Sequence, residues 1–233
     1  MARQPRLTCA GQVHHLLQYG NNYQDIFRDE QDREQFLQWL KYAGKQFQVA
    51  IHAYVLMPNH VHLLATPTDQ TGLSRMMQWL GRHYVPYFNR KYARVGTLFQ
   101  GRFKTAIIEA VPHLINCMRY IESNPVRVGI AASVDAFRWS SYAHHVGSKA
   151  DPVITDHLHY WSLGNTPFQR EAAYRLLIEQ ELNVAEVAAM TTAVLKGHVL
   201  GGQQFQTALS KLTGRTVAPA KRGRPAKLRL SGE

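Results

Sequence analysis

The stretch Met57-Pro58-Asn59-His60-Val61-His62-Leu63-Leu64 sets two histidines two residues apart inside an apolar run. Side chains alternate faces along a strand, so His60 and His62 share one face while Val61 and Leu63 point into the core. Paired imidazoles on one face can share a divalent metal. Two ligands are too few for a tight site, so a third must come from elsewhere. The segment Arg119-Tyr120-Ile121-Glu122-Ser123-Asn124-Pro125-Val126-Arg127 offers one. On a helix, positions four apart share a face, so Tyr120 and Asn124 project together, as a nucleophile and an oxygen ligand would. The residue before a proline avoids the α region, which sets Asn124 at a helix end. His52 and Glu122 are fallback ligands; His14, His15 and His113 are weaker ones. The combination points to metal-assisted phosphodiester chemistry with Tyr120 as nucleophile. The plainer alternative is a pair of solvated strand histidines with Tyr120 as a core aromatic and Asn124 as a helix cap.

These residues need elements to hold them. Residues 9–19 read as a first strand, closed by the turn signal Gly20-Asn21-Asn22. Residues 29–44 have the spacing of an amphipathic helix, with Phe36, Leu37, Leu40 and Tyr42 among its apolar positions and Gly44 as its C-cap. Residues 47–57 and 60–66 form two strands broken by Met57-Pro58-Asn59. A second helix spans 71–92, with Leu73, Met76, Met77, Leu80, Tyr84, Tyr87 and Phe88 at three- and four-residue spacing. A fourth strand, 103–110, precedes a third helix, 112–124, opened by Pro112 and stopped by Asn124-Pro125. The order βαββαβα predicts an α+β fold: a ferredoxin-like, RRM-like antiparallel sheet with helices packed on one face. Residues 143–165 read as a linker and 166–213 as a small helical extension opened by the cap pair Thr166-Pro167. The expected division is a catalytic domain over 1–145, a helical DNA-binding extension over 146–213 and a basic tail over 214–233.

The chain of 233 residues carries a formal net charge of +11 and a pI of about 9.8, which points to a polyanionic partner, nucleic acid first. Residues 70–108 hold seven Lys or Arg and no acid; 211–233 hold seven more and one Glu. Arg75, Arg82, Arg90, Lys91, Arg102 and Lys104 are interleaved with aromatics and are the candidate DNA-binding residues, since cations hold phosphates and rings stack on unpaired bases. In the tail, Arg222-Gly223-Arg224-Pro225 is AT-hook-like, and Arg222 and Arg224 fit a narrow A·T-rich minor groove. No apolar run is long enough to span a membrane, so a cytoplasmic, nucleoid-associated protein is expected. Two cysteines without a CxxC spacing, Cys9 and Cys117, argue against a disulfide or zinc framework.

Four segments, in order, resemble the REP-associated tyrosine transposases, a branch of the single-tyrosine HUH transposases: Met57 to His62, Gly96 to Lys104, Arg119 to Arg127, and Trp139-Ser140-Ser141-Tyr142. The likeness covers residues 8–145, and the segment Gly201 to Leu212 with the basic tail is similar to the extension such proteins carry. The resemblance implies that His60, His62 and Asn124 bind Mg2+ or Mn2+ and that Tyr120 is the nucleophile. It implies cutting of single-stranded DNA beside hairpins, the REP palindromes, through a 5′-phosphotyrosine link. A basic neighbour, Lys104 or Arg119, could help Tyr120 ionise. No small-molecule substrate or membrane is expected, and the protein is a monomer or homodimer. The alternative is a catalytically silent protein that only binds DNA hairpins.

Overall fold

A computed structural model describes residues 6–217. Strands β1 (Val13–Tyr19), β2 (Val49–Met57), β3 (His60–Pro67) and β4 (Lys104–Ile108) form one antiparallel sheet in the order β2-β3-β1-β4. Helix α1 (Glu30–Gln46) joins β1 to β2 and α2 (Gly72–Lys91) joins β3 to β4, which is the ferredoxin-like topology. Residues 9–12, expected as strand, instead make a turn at Gly11, whose φ of 70° suits glycine. The tail residues Arg222 and Arg224 lie outside the described residues.

Local chemistry accounts for the helices. Asp29 caps α1 by accepting from the backbone N–H of Asp32, whose carboxylate accepts in return from the Asp29 N–H. Phe36, Leu40 and Ala43 form the buried stripe of α1, and Leu73, Met76, Leu80, Tyr84 and Phe88 that of α2. Both pack on the face of the sheet that carries Leu16, Ile51, Leu56, Val61 and Leu63. Gly44, expected as a cap, lies inside α1. A Cβ there would meet Ile51 and the Val49 carbonyl at 3.2 Å, so its smallness lets α1 press onto β2. Tyr42 is exposed rather than apolar filling.

The expectation of helices on one face needs correcting. The opposite face, with Val13, Leu17, Ala53, Val55 and Leu64, is covered by α3 (Ala110–Glu122) and by α8 (Val184–Lys196). Between them run three short helices, α4 (Asn124–Arg127), α5 (Tyr142–His145) and α6 (Leu158–Trp161), and then α7 (Pro167–Glu179). The pair Thr166-Pro167 does open α7, in a capping box with Gln169. Tyr174 of α7 and Met190, Ala193 and Val194 of α8 share one apolar cluster with α3 and the strands, and α9 (Gln203–Thr213) follows.

The stretch expected as a linker is folded. Leu56 N–H donates to the Trp139 carbonyl (2.9 Å), Ser141 N–H to Tyr54 (3.1 Å) and Thr155 N–H to Ile51 (2.8 Å). Residues 139–155 thereby cover the β2 edge, whose open hydrogen-bonding groups would otherwise invite another chain. Leu200 closes the β4 edge through bonds to Ile107 and Glu109. Among the described residues no helix is long and apolar enough to cross a membrane.

Candidate active site

The β2–β3 hairpin turns on Pro58-Asn59 alone, pairing Met57 with His60. The turn is held from outside: Ile26 and Phe27 N–H donate to the Pro58 carbonyl, and Gly20 N–H to that of Asn59. The register then sets His62 opposite Leu17 of β1 and Val55 of β2, and His60 opposite Tyr19 and Met57. His60 and His62 share a face, as their spacing predicts. That face lies under α3 and α8.

Three histidines meet there, not two. His15 of β1 puts Nε2 2.8 Å from Nδ1 of His62, and its ring stacks on that of His62 at 5.0 Å. The ring of His60 stands 5.1 Å from that of His62, and its Nδ1 lies 2.7 Å from the Asn59 carboxamide oxygen. Burial first, with the Arg127 charge behind it, lowers His15 to about 3 and His60 to about 4; burial also drives His62 well below the usual range. All three imidazoles are therefore neutral at pH 7, the form that binds metal. Nε2 of His60 and Nε2 of His62 make no hydrogen bond among the described residues, while Nδ1 of each ring is engaged. That is the arrangement of a ligating histidine whose second nitrogen is oriented by an outer partner.

Tyr120 of α3 completes the cluster. Its ring sits edge-on to His15 and His62, with centroids at 5.6 and 5.9 Å. The Arg127 guanidinium lies over its face at 4.2 Å and donates to its carbonyl at 3.1 Å. Its hydroxyl is 3.0 Å from Thr191 Oγ1 of α8. All of these contacts lie within one chain. The helix breaks at Ser123, and Asn124 opens α4, buried, with no hydrogen bond to its carboxamide among the described residues.

The remaining candidates are placed elsewhere. His52 sits at a bulge of β2, and both its nitrogens are taken, by the Thr155 carbonyl (2.7 Å) and Thr66 (2.9 Å). The Glu122 carboxylate is fully buried and used: Ser141 (2.5 Å) and His145 (2.7 Å) bond one oxygen, Tyr174 (2.7 Å) the other. His14 points to the other face, bonded to the Cys9 N–H and the Gln12 carbonyl. His113 belongs to the first turn of α3 and shows no contact with the cluster. No set of three or more His, Cys, Asp or Glu side chains among the described residues is placed to hold a metal. The Asn124 carboxamide, an oxygen donor, is not of those four residue types.

Of the basic residues, Arg75, Arg82 and Arg102 line one open groove of about 930 Å³ with Gln18, Gln78 and Phe103, on the α2 side of the sheet. Arg82 and Arg90 line a neighbouring concavity with Trp39. Lys91 does not offer a free charge: Asp29 and Asp32 hold its ammonium at 2.7 and 2.9 Å. Lys104 is exposed over the Tyr19 ring. Arg119 turns away from the Tyr120 hydroxyl, to Asn116 and the Gln180 carbonyl. The cation on Tyr120 is thus Arg127, neither of the two expected from sequence. His15, Arg127 and Thr191 are the residues sequence reasoning missed in these roles. Strand parity and the β1–β3 register reveal His15; Arg127 stands two residues after the proline of a segment already singled out.

Residues 10–124 match the family profile described as "Transposase IS200 like". Comparison with curated proteins yields no match. Among solved structures, one described as a REP-associated tyrosine transposase bound to a REP hairpin is similar over 67% of this chain and 92% of its own, with a TM-score of 0.50 and 18% identity. That likeness shows a shared fold. A candidate transposase from Deinococcus radiodurans aligns over 52% of this chain and 97% of its own, at a TM-score of 0.37 and 18% identity. Over residues 10–124 the chain thus matches the IS200-like transposases, a family that implies an enzyme cutting and rejoining DNA.

Proposed function

We propose that this transposase nicks and rejoins single-stranded DNA beside hairpins of the REP type, with Tyr120 as nucleophile and a 5′-phosphotyrosine intermediate. The observation that carries this reading is the packing of Tyr120 against His62 and His15, on the face that His60 shares. In the forward step the Tyr120 Oη–phosphorus bond forms as the phosphorus–O3′ bond breaks. The phenolic proton passes to water, and water returns one proton to the departing O3′, which becomes a 3′-hydroxyl. Attack by a 3′-hydroxyl on the phosphotyrosine reverses the step and joins strands without ATP, because the link conserves the bond energy.

His60, His62 and Asn124 would hold Mg2+ or Mn2+, with His15 orienting His62. When bound, the cation neutralises charge on the phosphate that would repel the nucleophile. Burial keeps the imidazoles neutral and the phenol ring fixed between Arg127 and the histidines. Arg75, Arg82 and Arg102 would grip the DNA backbone from the α2 side, with Arg90 and Lys104 extending the basic surface. Residues 1–145 would form the catalytic domain and 146–213 its helical DNA-binding extension, with the tail residues Arg222 and Arg224 adding minor-groove contacts.

The test is a nicking assay on a labelled oligonucleotide with a hairpin and single-stranded flanks from the protein's own genome. Cleavage in Mn2+ or Mg2+, abolished by EDTA and absent on fully duplex DNA, supports the reading. Tight hairpin binding with no cleavage under any metal would favour the catalytically silent, hairpin-binding alternative.

A further inference from the structure

Helix α8 lies beyond residues 10–124, the part of the chain that matches the family, yet it reaches the candidate nucleophile. Its inward stripe runs through Val187, Met190, Thr191 and Val194, at helical spacing. Met190 and Val194 are buried apolar side chains, as that stripe requires. Thr191 puts a hydroxyl among them. Its proton is committed within its own helix, to the Val187 carbonyl at 2.7 Å. With that proton committed, the 3.0 Å contact to Tyr120 has one polarity: the phenolic O–H donates and Thr191 Oγ1 accepts.

We propose that Thr191 is a positioning residue for the transposition reaction, supplied by helix α8 to fix the direction of the Tyr120 O–H bond. Tyr120 is 5% exposed as a residue. Arg127 over the ring face and the edges of His15 and His62 restrict the ring itself, but none of them fixes rotation about the Cζ–Oη bond. The hydrogen bond to Thr191 does. It points the proton toward α8 and leaves the oxygen lone pairs free to face a phosphate on the other side. Thr191 takes no proton in the reaction, having no basic group; it holds the phenol in the orientation from which attack proceeds. A misdirected nucleophile is expensive in rate even when binding is unchanged.

The proposal rests on Tyr120 being the nucleophile, so Tyr120→Phe is run beside it. The full chain is assayed for single-turnover covalent adduct formation on the same hairpin oligonucleotide in Mn2+. Thr191→Val keeps the volume and removes the acceptor; Thr191→Ser keeps the acceptor. The expected result is a rate about 10- to 100-fold lower in T191V, with hairpin affinity and melting temperature unchanged, and wild-type rate in T191S. With fluorotyrosine incorporated, the Tyr120 resonance of the metal-free protein, identified by its loss in Y120F, should move in T191V and stay in T191S. A T191V protein as fast as wild type or faster, with Y120F inactive, overturns the role of Thr191 alone. Adduct formation by Y120F would instead overturn the nucleophile assignment beneath it.

Discussion

Two buried polar clusters flank the end of α3, two residues apart in sequence, and they are built on opposite principles. Around Glu122, each carboxylate oxygen is used: Ser141 and His145 bond one, Tyr174 the other. The donors come from α5, α7 and the segment along the β2 edge, so the cluster ties three elements to the C-terminal turn of α3. Around Tyr120, His15 and His62 bond each other, but Nε2 of His60 and of His62 have no partner among the described residues, and His15 Nδ1 is buried without one. A satisfied buried network rigidifies a fold, while buried polar atoms left open call for another explanation. In the first cluster the carboxylate is fully bonded and His145 Nε2 is the atom left without a partner; in the second, open nitrogens gather on three rings, as the proposed ligand site requires.

Substitutions should separate the two. The largest effect on folding is expected from Glu122→Ala, which strands the buried partners of a removed charge. Denaturant unfolding should show a loss of about 3–5 kcal/mol, and a loss below 1 kcal/mol would erase the contrast between the clusters. His60→Ala should do the reverse. Covalent adduct formation should fall by more than about 100-fold, beyond the 10–100-fold typical of outer-shell partners, with stability changed by only about 1 kcal/mol.

His15→Gln sharpens the comparison within the second cluster. Having no direct ligand role, it should weaken the apparent Mn2+ affinity about 10- to 100-fold, read from a metal titration of adduct formation. Activity that saturates at the wild-type Mn2+ concentration would remove His15 from the account.

A pH dependence is also expected. Burial lowers His15 to about 3 and both His14 and His60 to about 4 in the folded chain. The unfolded chain binds these protons first, so the stabilisation is complete above about pH 6.5 and is lost as pH falls through about 4. The melting temperature should drop across that window, less steeply in H60A. An equal slope in H60A would mean that His60 is not held neutral by the fold.

Much of this was legible in the sequence because it is periodic. The stripes of α1 and α2 and the shared face of His60 and His62 follow from repeats of 3.6 and 2. What escaped is non-periodic and distant in sequence. Glu122 passed for a spare ligand because Ser141, His145 and Tyr174 lie 19, 23 and 52 positions away. Residues 143–165 read as a linker because a segment that caps a strand edge through backbone bonds needs no apolar pattern. Lys91 looked free because Asp29 and Asp32, which hold it, stand about sixty positions earlier. Helix α8 on the histidine face was missed because it is set by contacts with β4 and β1, about 80 and 170 positions upstream.

The central claim is that Tyr120 forms the bond to DNA, and the structure offers a rival. Tyr19 lies 5.2 Å from His60, ring to ring, on the same face of the sheet. The decisive measurement is to trap the covalent adduct on the hairpin oligonucleotide, digest the protein and locate the modified peptide by mass spectrometry. The account predicts a nucleotide linked through phosphate to Tyr120, and no adduct in Y120F. A nucleotide on Tyr19, or an adduct that survives in Y120F, would contradict it.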